Sequence, residues 1–316
     1  MPKPRSLQVS LEATAVYHCI SRCVRRAFLC GQDRLTGKNF DHRKQWLVDR
    51  MQELAGIFAL DLCTYSVLSN HFHLILRIDC DRAQRWTDDQ VAERYAKVFP
   101  HTVKQARGLP EPARAQRLAR WRQRLGDLSW FMRCLNEAIA RRANREDGCT
   151  GRFWEGRFRS QALLDEGALL ACMTYVDLNP IRAGLADTLE TSAFTSIRER
   201  LTGAATTLVP FAGETAPGVP VDPLPVARRD YVDRLEWTVR ALREARHDAV
   251  PAPIRATLGQ FDLEAGSFVD SVRDYGRSFF TMVGHVHRIE VESQRRGYRR
   301  CPGVRSARRM YRRVAA

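Results

Sequence analysis

Ser69-Asn70-His71-Phe72-His73-Leu74-Ile75-Leu76-Arg77 is the stretch on which the reading of this 316-residue chain turns. Side chains in a strand point alternately to its two faces. Phe72, Leu74, Leu76 and Ile78 then share one wholly apolar face, expected toward a core. His71 and His73 point the other way, with Arg77 further along. Two imidazoles in register on a rigid strand make a good pair of metal ligands. The plain alternative is a solvated polar face. Just upstream, residues 60–68 form a second apolar run, and Ser69-Asn70 between the two runs suits a hairpin turn.

Working outward, AVYHCISRC (15–23) reads as a first strand, followed by the basic residues Arg22, Arg25 and Arg26. Leu47, Met51, Leu54 and Phe58 recur at helical spacing over 42–59. Residues 80–128 are polar, Arg-rich and helical in pattern, and are expected to be an insertion. Residues 129–145 form a helix with Ser129 as N-cap, burying Phe131, Leu135 and Ile139. A basic, aromatic strand is expected over 151–164 and a helix over 165–179. This order predicts an α+β fold, a ferredoxin-like antiparallel sheet with helices on one face. Five of the 14 prolines, Pro217 and Pro220 among them, fall in 203–229, which reads as a linker. Helices follow over 231–246 and 266–283. The expected division is a 1–200 domain with its insertion at about 80–128, a Pro-rich linker 201–229, and a helical, Arg-rich extension 230–316.

The charge excess lies outside the His strand. Against 36 Asp+Glu the chain has 51 Lys+Arg, a net +15, of which residues 288–316 carry +8 and the insertion +5. Such an excess points to a polyanion, most often nucleic acid. No run approaches the roughly 18 apolar residues of a membrane span, and nothing before Val16 resembles a signal peptide, so a cytoplasmic protein without a membrane partner is expected. The nine cysteines are odd in number and form no CxxC pair, which argues against a zinc finger or a disulfide scaffold. A second His-apolar-His triplet, His285-Val286-His287, has charged flanks and reads as ordinary surface.

Tyr175 and Asn179 stand four apart and project from one helix face, and Pro180 should end or kink the helix there. With VYHCISR (16–22), LSNHFHLILR (68–77), GRFWEGRFRSQALL (151–164) and YVDLNPIRAGL (175–185), the chain resembles the single-tyrosine HUH transposases, the IS200-like group, and within it the REP-associated tyrosine transposases. The resemblance implies that His71 and His73 bind one divalent metal, Mg²⁺ or Mn²⁺, and that Tyr175 is the nucleophile. Asn179 stands where relatives offer a third polar ligand, often Gln; Asp177 and His18 are reserve candidates for it. Ser69 replaces a common Pro, a change confined to the turn.

The implied activity is that of a metal-dependent endonuclease and strand transferase for single-stranded DNA, a transposase working through a 5′-phosphotyrosine, with hairpin-forming repeats as substrate. A phenol is almost wholly protonated at neutral pH and needs help to attack. The chain has no GxxxxGK[ST] loop, in keeping with a joining step that conserves bond energy in the ester. Arg152, Trp154, Arg157 and Arg159, with Arg22 and Arg77, are the expected DNA contacts: guanidinium groups for phosphates, indole for base stacking. Relatives differ in being monomers or dimers with shared sites, so a homodimer is an open expectation. Two other readings stay open: a domesticated, non-catalytic binder of structured single-stranded DNA, and a metallohydrolase using the His pair without the tyrosine.

Overall fold

The computed structural model describes residues 8–24, 31, 37–106, 108–204, 207–215, 221–244 and 250–312. Arg25, Arg26, Pro217 and Pro220 lie outside the described residues, as does the very end of the basic tail. Along the chain run β1 (Val16–Arg22), α1 (His42–Ile57), β2 (Leu60–Val67) and β3 (His71–Ile78). Four helices follow: α2 (Cys80–Arg85), α3 (Asp88–Val98), α4 (Pro100–Ala106) and α5 (Glu111–Leu125). Then come α6 (Leu128–Glu146), β4 (Arg159–Leu163), α7 (Glu166–Asp177), α8 (Asn179–Arg182) and α9 (Ser196–Thr202). The remainder holds α10 (Arg228–Glu244), α11 (Ala252–Gln260), α12 (Ala265–Arg273), α13 (Tyr275–Ser278), β5 (Met282–Val283), α14 (Val286–Arg295) and α15 (Val304–Met310).

The sheet has the order β2-β3-β1-β4-β5. Its first four strands are mutually antiparallel, and with α1 and α6 as the two crossovers they form the β-α-β-β-α-β arrangement expected of an α+β, ferredoxin-like fold. The Ser69-Asn70 turn closes the β2–β3 hairpin, with Leu68 N–H donating to the His71 carbonyl. On the face of Phe72, Leu74 and Leu76, α1 buries Leu47, Met51 and Leu54, and Phe58 meets Phe131 of α6 edge to face at 5.5 Å. The N-cap of α6 is Asp127, not Ser129; its carboxylate accepts from Trp130 N–H. The buried residues of α3 and α5 join the common core, with Tyr95 stacked on Trp121 at 4.7 Å, and a Thr87–Gln90 capping box starts α3.

The second face of the sheet is also covered, by α7. Every residue of α7 from Gly167 to Asp177 is buried, because the helix is apolar all round and lies between the sheet and α12. The expected strand over 151–164 shortens to Arg159–Leu163. The helix expected over 266–283 becomes α12, α13 and then β5, which pairs with β4 through Ala162–Met282 and Leu163–Val283. The C-terminal segment thus extends the sheet of the first 200 residues. Nor do the described residues of 201–229 behave as a free linker. Leu208, Val209, Phe211, Leu224 and Val226 are buried, and Leu208 bridges to Leu62 of β2. Proline spacing signals the lack of regular structure there, but not whether the segment packs.

Candidate active site

His73 lies on β3 opposite Ile20 of β1, and His18 stands one step along β1 on the same face. The two rings stack at 5.1 Å, with His18 Nε2 2.9 Å from His73 Nδ1. His18 Nδ1 in turn lies 3.1 Å from Gln161 Oε1, on β4. The His71 ring is 5.0 Å from that of His73, and its Nδ1 lies 2.5 Å from Asn70 Oδ1. This face is roofed by α7 and is not a solvated one: His18 and His73 are each only 2% exposed, and His71 is half-buried. Burial pushes the pKa of His18 down to about 4. Burial, then the charge of Arg22, does the same to His71, to about 4, and burial with its histidine neighbours holds His73 well below the usual range. All three are neutral at pH 7, the form in which an imidazole ligates a metal.

Tyr175 comes down from α7 onto this cluster. Its ring stands edge-on to His73 at 5.6 Å and to His18 at 6.2 Å. On its other side it stacks on Tyr275 of α13 at 4.8 Å, and the Arg182 guanidinium carbon lies 4.8 Å from its centroid. Its hydroxyl reaches Gly276: a Cβ at that position would stand 2.9 Å from the oxygen. One helical step on, α7 ends at Asp177 and Asn179 opens α8, with Pro180 in the first turn where a missing N–H costs nothing. Asn179 is buried, and its Nδ2 has no partner among the described residues.

The fold brings His71, His73 and Tyr175 together, and Arg22 pairs across the strands with His71. Arg159, exposed on β4, pairs with Ile20, which itself faces His73, so it borders the same face two strands away. Arg157 and Arg152 lie in the loop before β4, with Arg152 Nε donating to the Trp154 carbonyl at 2.9 Å. Two expected DNA contacts are placed otherwise. Arg77 sits about 13 Å along β3 from His73, donates to Asp61 Oδ2 at 3.2 Å and to the Asp222 carbonyl, and is a structural ion pair. Trp154 is buried, packs edge-on to Phe72 at 5.6 Å, and donates from Nε1 to the Asn136 carbonyl at 2.8 Å. Its indole belongs to the core and offers no stacking surface for a base.

Both reserve ligands are also accounted for. The Asp177 carboxylate accepts from Ser196 Oγ at 2.6 Å and from the Tyr231 hydroxyl at 2.5 Å, tying α7 to α9 and α10. His18 spends both ring nitrogens on Gln161 and His73. Sequence reasoning missed Gln161, Arg182, Tyr275 and Gly276; of these, Gln161 and Arg182 stood inside quoted motifs, whereas nothing near Tyr275 marked it out.

Whether a cation fits can be judged from the donors themselves. His73 Nε2 is buried with no partner among the described residues, the condition of a nitrogen awaiting a ligand. The same residues contain no group of three His, Cys, Asp or Glu arranged for a metal. Two neutral imidazoles are thus the donors brought together, a pair that by itself suits a borderline transition-metal dication; Mg²⁺ or Mn²⁺ would need phosphate oxygens and water to complete its shell.

No family model and no curated protein matches the chain. The solved structure of the REP associates tyrosine transposase bound to a REP hairpin matches at 13% identity, over 66% of this chain and 93% of that one, with a TM-score of 0.36. So loose a likeness assigns no residue here a role. No helix among the described residues is long and apolar enough to cross a membrane.

Proposed function

We propose that this chain is a metal-dependent endonuclease and strand transferase for single-stranded DNA, a single-tyrosine HUH transposase acting beside hairpin-forming repeats. The observation that carries the reading is the packing of the Tyr175 ring against His73, whose Nε2 is buried and bare. His71 and His73, with Asn179 as third donor, would hold Mg²⁺ or Mn²⁺, which when bound polarises the scissile phosphate and offsets charge developing on its oxygens.

The chain's own residues supply the rest. Tyr175, clamped between Tyr275 and His73, presents its oxygen with little rotational freedom, which lowers the entropic part of the barrier. Its attack on phosphorus forms the P–Oη bond and breaks the bond to the 3′-oxygen. The phenol proton passes to water, and the 3′-oxygen leaves as a hydroxyl. The 5′-phosphotyrosine keeps the energy of the diester, so attack by a 3′-hydroxyl reverses the step without ATP. Arg22, paired with His71, and Arg159, on the neighbouring strand, would hold the flanking phosphates.

The test is a labelled single-stranded oligonucleotide carrying a hairpin, incubated with Mn²⁺ or with EDTA. An adduct that survives SDS in Mn²⁺ and is absent in EDTA is the expected result. EDTA-indifferent binding with no adduct under any metal would favour the non-catalytic binder.

A further inference from the structure

A chain of hydrogen bonds runs from the C-terminal segment to His73, and its polarity is fixed at one end. The Phe279 carbonyl can only accept, so Gln161 must turn its Nε2 toward it, at 2.8 Å. Gln161 Oε1 then faces two groups that must donate: the Tyr275 hydroxyl at 3.1 Å and His18 Nδ1 at 3.1 Å. With its proton on Nδ1, neutral His18 has a lone pair on Nε2. At 2.9 Å that lone pair accepts from His73 Nδ1–H. His73 is left with the lone pair of Nε2, the buried nitrogen that has no partner. The reverse polarity would set the His18 Nδ1 lone pair against Gln161 Oε1, two acceptors in a buried site, at a cost of about 1–3 kcal/mol.

We infer that Gln161, His18 and Tyr275 are positioning residues that lock His73 in its Nδ1–H tautomer and so present Nε2 to the cation. This rests on the reading of His73 as a metal ligand. Outer partners of ligating histidines fix tautomer and ring orientation in this way. Here the partner is a second imidazole, itself oriented by an amide, and the last two anchors come from residues 275 and 279. The same Tyr275 stacks on Tyr175, so one side chain of the C-terminal segment supports both the ligand and the proposed nucleophile. The segment is thereby part of the site.

The tautomers can be read directly in metal-free protein labelled with ¹⁵N-histidine, by long-range ¹H–¹⁵N correlation at neutral pH, with signals assigned through single His→Asn variants. His18 and His73 should both carry the proton on Nδ1; a proton on His73 Nε2 would overturn the relay. Gln161→Leu should return both rings to a tautomer mixture and weaken Mn²⁺ binding, read by EPR of free Mn²⁺, by about 10–100-fold. Gln161→Glu keeps an acceptor for His18 but needs a protonated carboxyl to donate to the Phe279 carbonyl, so it should keep the tautomers and the Mn²⁺ affinity only below the pKa of that buried carboxyl. Unchanged tautomers and affinity in Gln161→Leu would contradict the proposal. The wild-type spectrum decides the matter even should Gln161→Leu fail to fold. Correct tautomers with no DNA adduct would count against the nuclease reading and leave the relay standing; an adduct with the wrong tautomers would do the reverse.

Discussion

The ring of Tyr175 stands edge-on to His73 with centroids 5.6 Å apart, although the two lie on different elements over 100 residues apart in sequence. An all-apolar helix dropped onto the polar face of a strand produces this contact, and the geometry has consequences that can be measured.

Gly276 leaves room for the Tyr175 hydroxyl, since a Cβ would come within 2.9 Å of it. Gly276→Ala should push the oxygen aside and slow adduct formation by tenfold or more, in line with the roughly 10²-fold cost of a misplacement of about 1 Å. Single-turnover kinetics with the melting curve as control would check this. Wild-type kinetics would mean that the hydroxyl is not where the reaction needs it.

Arg22 and Arg77 should separate cleanly. Arg22→Ala is expected to weaken oligonucleotide binding and to flatten its salt dependence, because a phosphate contact releases a counterion. Arg77→Ala should leave affinity unchanged and lower stability by about 2 kcal/mol, because Asp61 loses one of its two Arg partners. Binding titrations at several salt concentrations and urea melts measure both.

Trp154 offers a parallel contrast. Removing a buried indole that packs on Phe72 and Phe153 should cost about 3–5 kcal/mol. The urea midpoint of Trp154→Ala should fall accordingly, while DNA affinity per folded molecule stays level. Loss of affinity without loss of stability would return the indole to the DNA interface.

Stability should also fall with acid in a defined window. His18 and His71 have folded pKa values lowered to about 4, and His73 is lowered well below its usual range. In the unfolded chain they titrate near about 6.5. Below that pH the unfolded state takes up protons that the folded state refuses, so stability is full above about pH 6.5 and is lost as pH falls toward 4. Each such group steepens the loss by about 1 kcal/mol per pH unit. Urea midpoints in EDTA should decline from pH 6.5 to 5; a flat profile would mean the cluster is open to water.

Local patterns carried much of the fold. Alternation over 71–78, the Ser69-Asn70 turn and the Leu47–Met51–Leu54 stripe each encode a short-range geometry, and the structure has β3, the hairpin and α1 there. The helix break expected at Pro180 is also there, with α7 closing at Asp177 and α8 opening at Asn179. What periodicity cannot carry is the choice among partners far off in sequence. Arg77 is polar on a polar face whether it meets phosphate or Asp61. Trp154 between arginines has the same neighbours whether it points into the core or out. Tyr275 reaches the site only because β5 pairs with β4, and a two-residue strand leaves no pattern to read.

The most direct measurement of the central claim compares wild type with Tyr175→Phe on a single-stranded, hairpin-bearing oligonucleotide in Mn²⁺. Removing one oxygen from a ring that packs on Tyr275 and His73 should leave fold and binding in place. The wild type is predicted to give an SDS-resistant protein–DNA adduct and a free 3′-hydroxyl, and Tyr175→Phe neither, at unchanged affinity. An adduct formed by Tyr175→Phe would contradict the account.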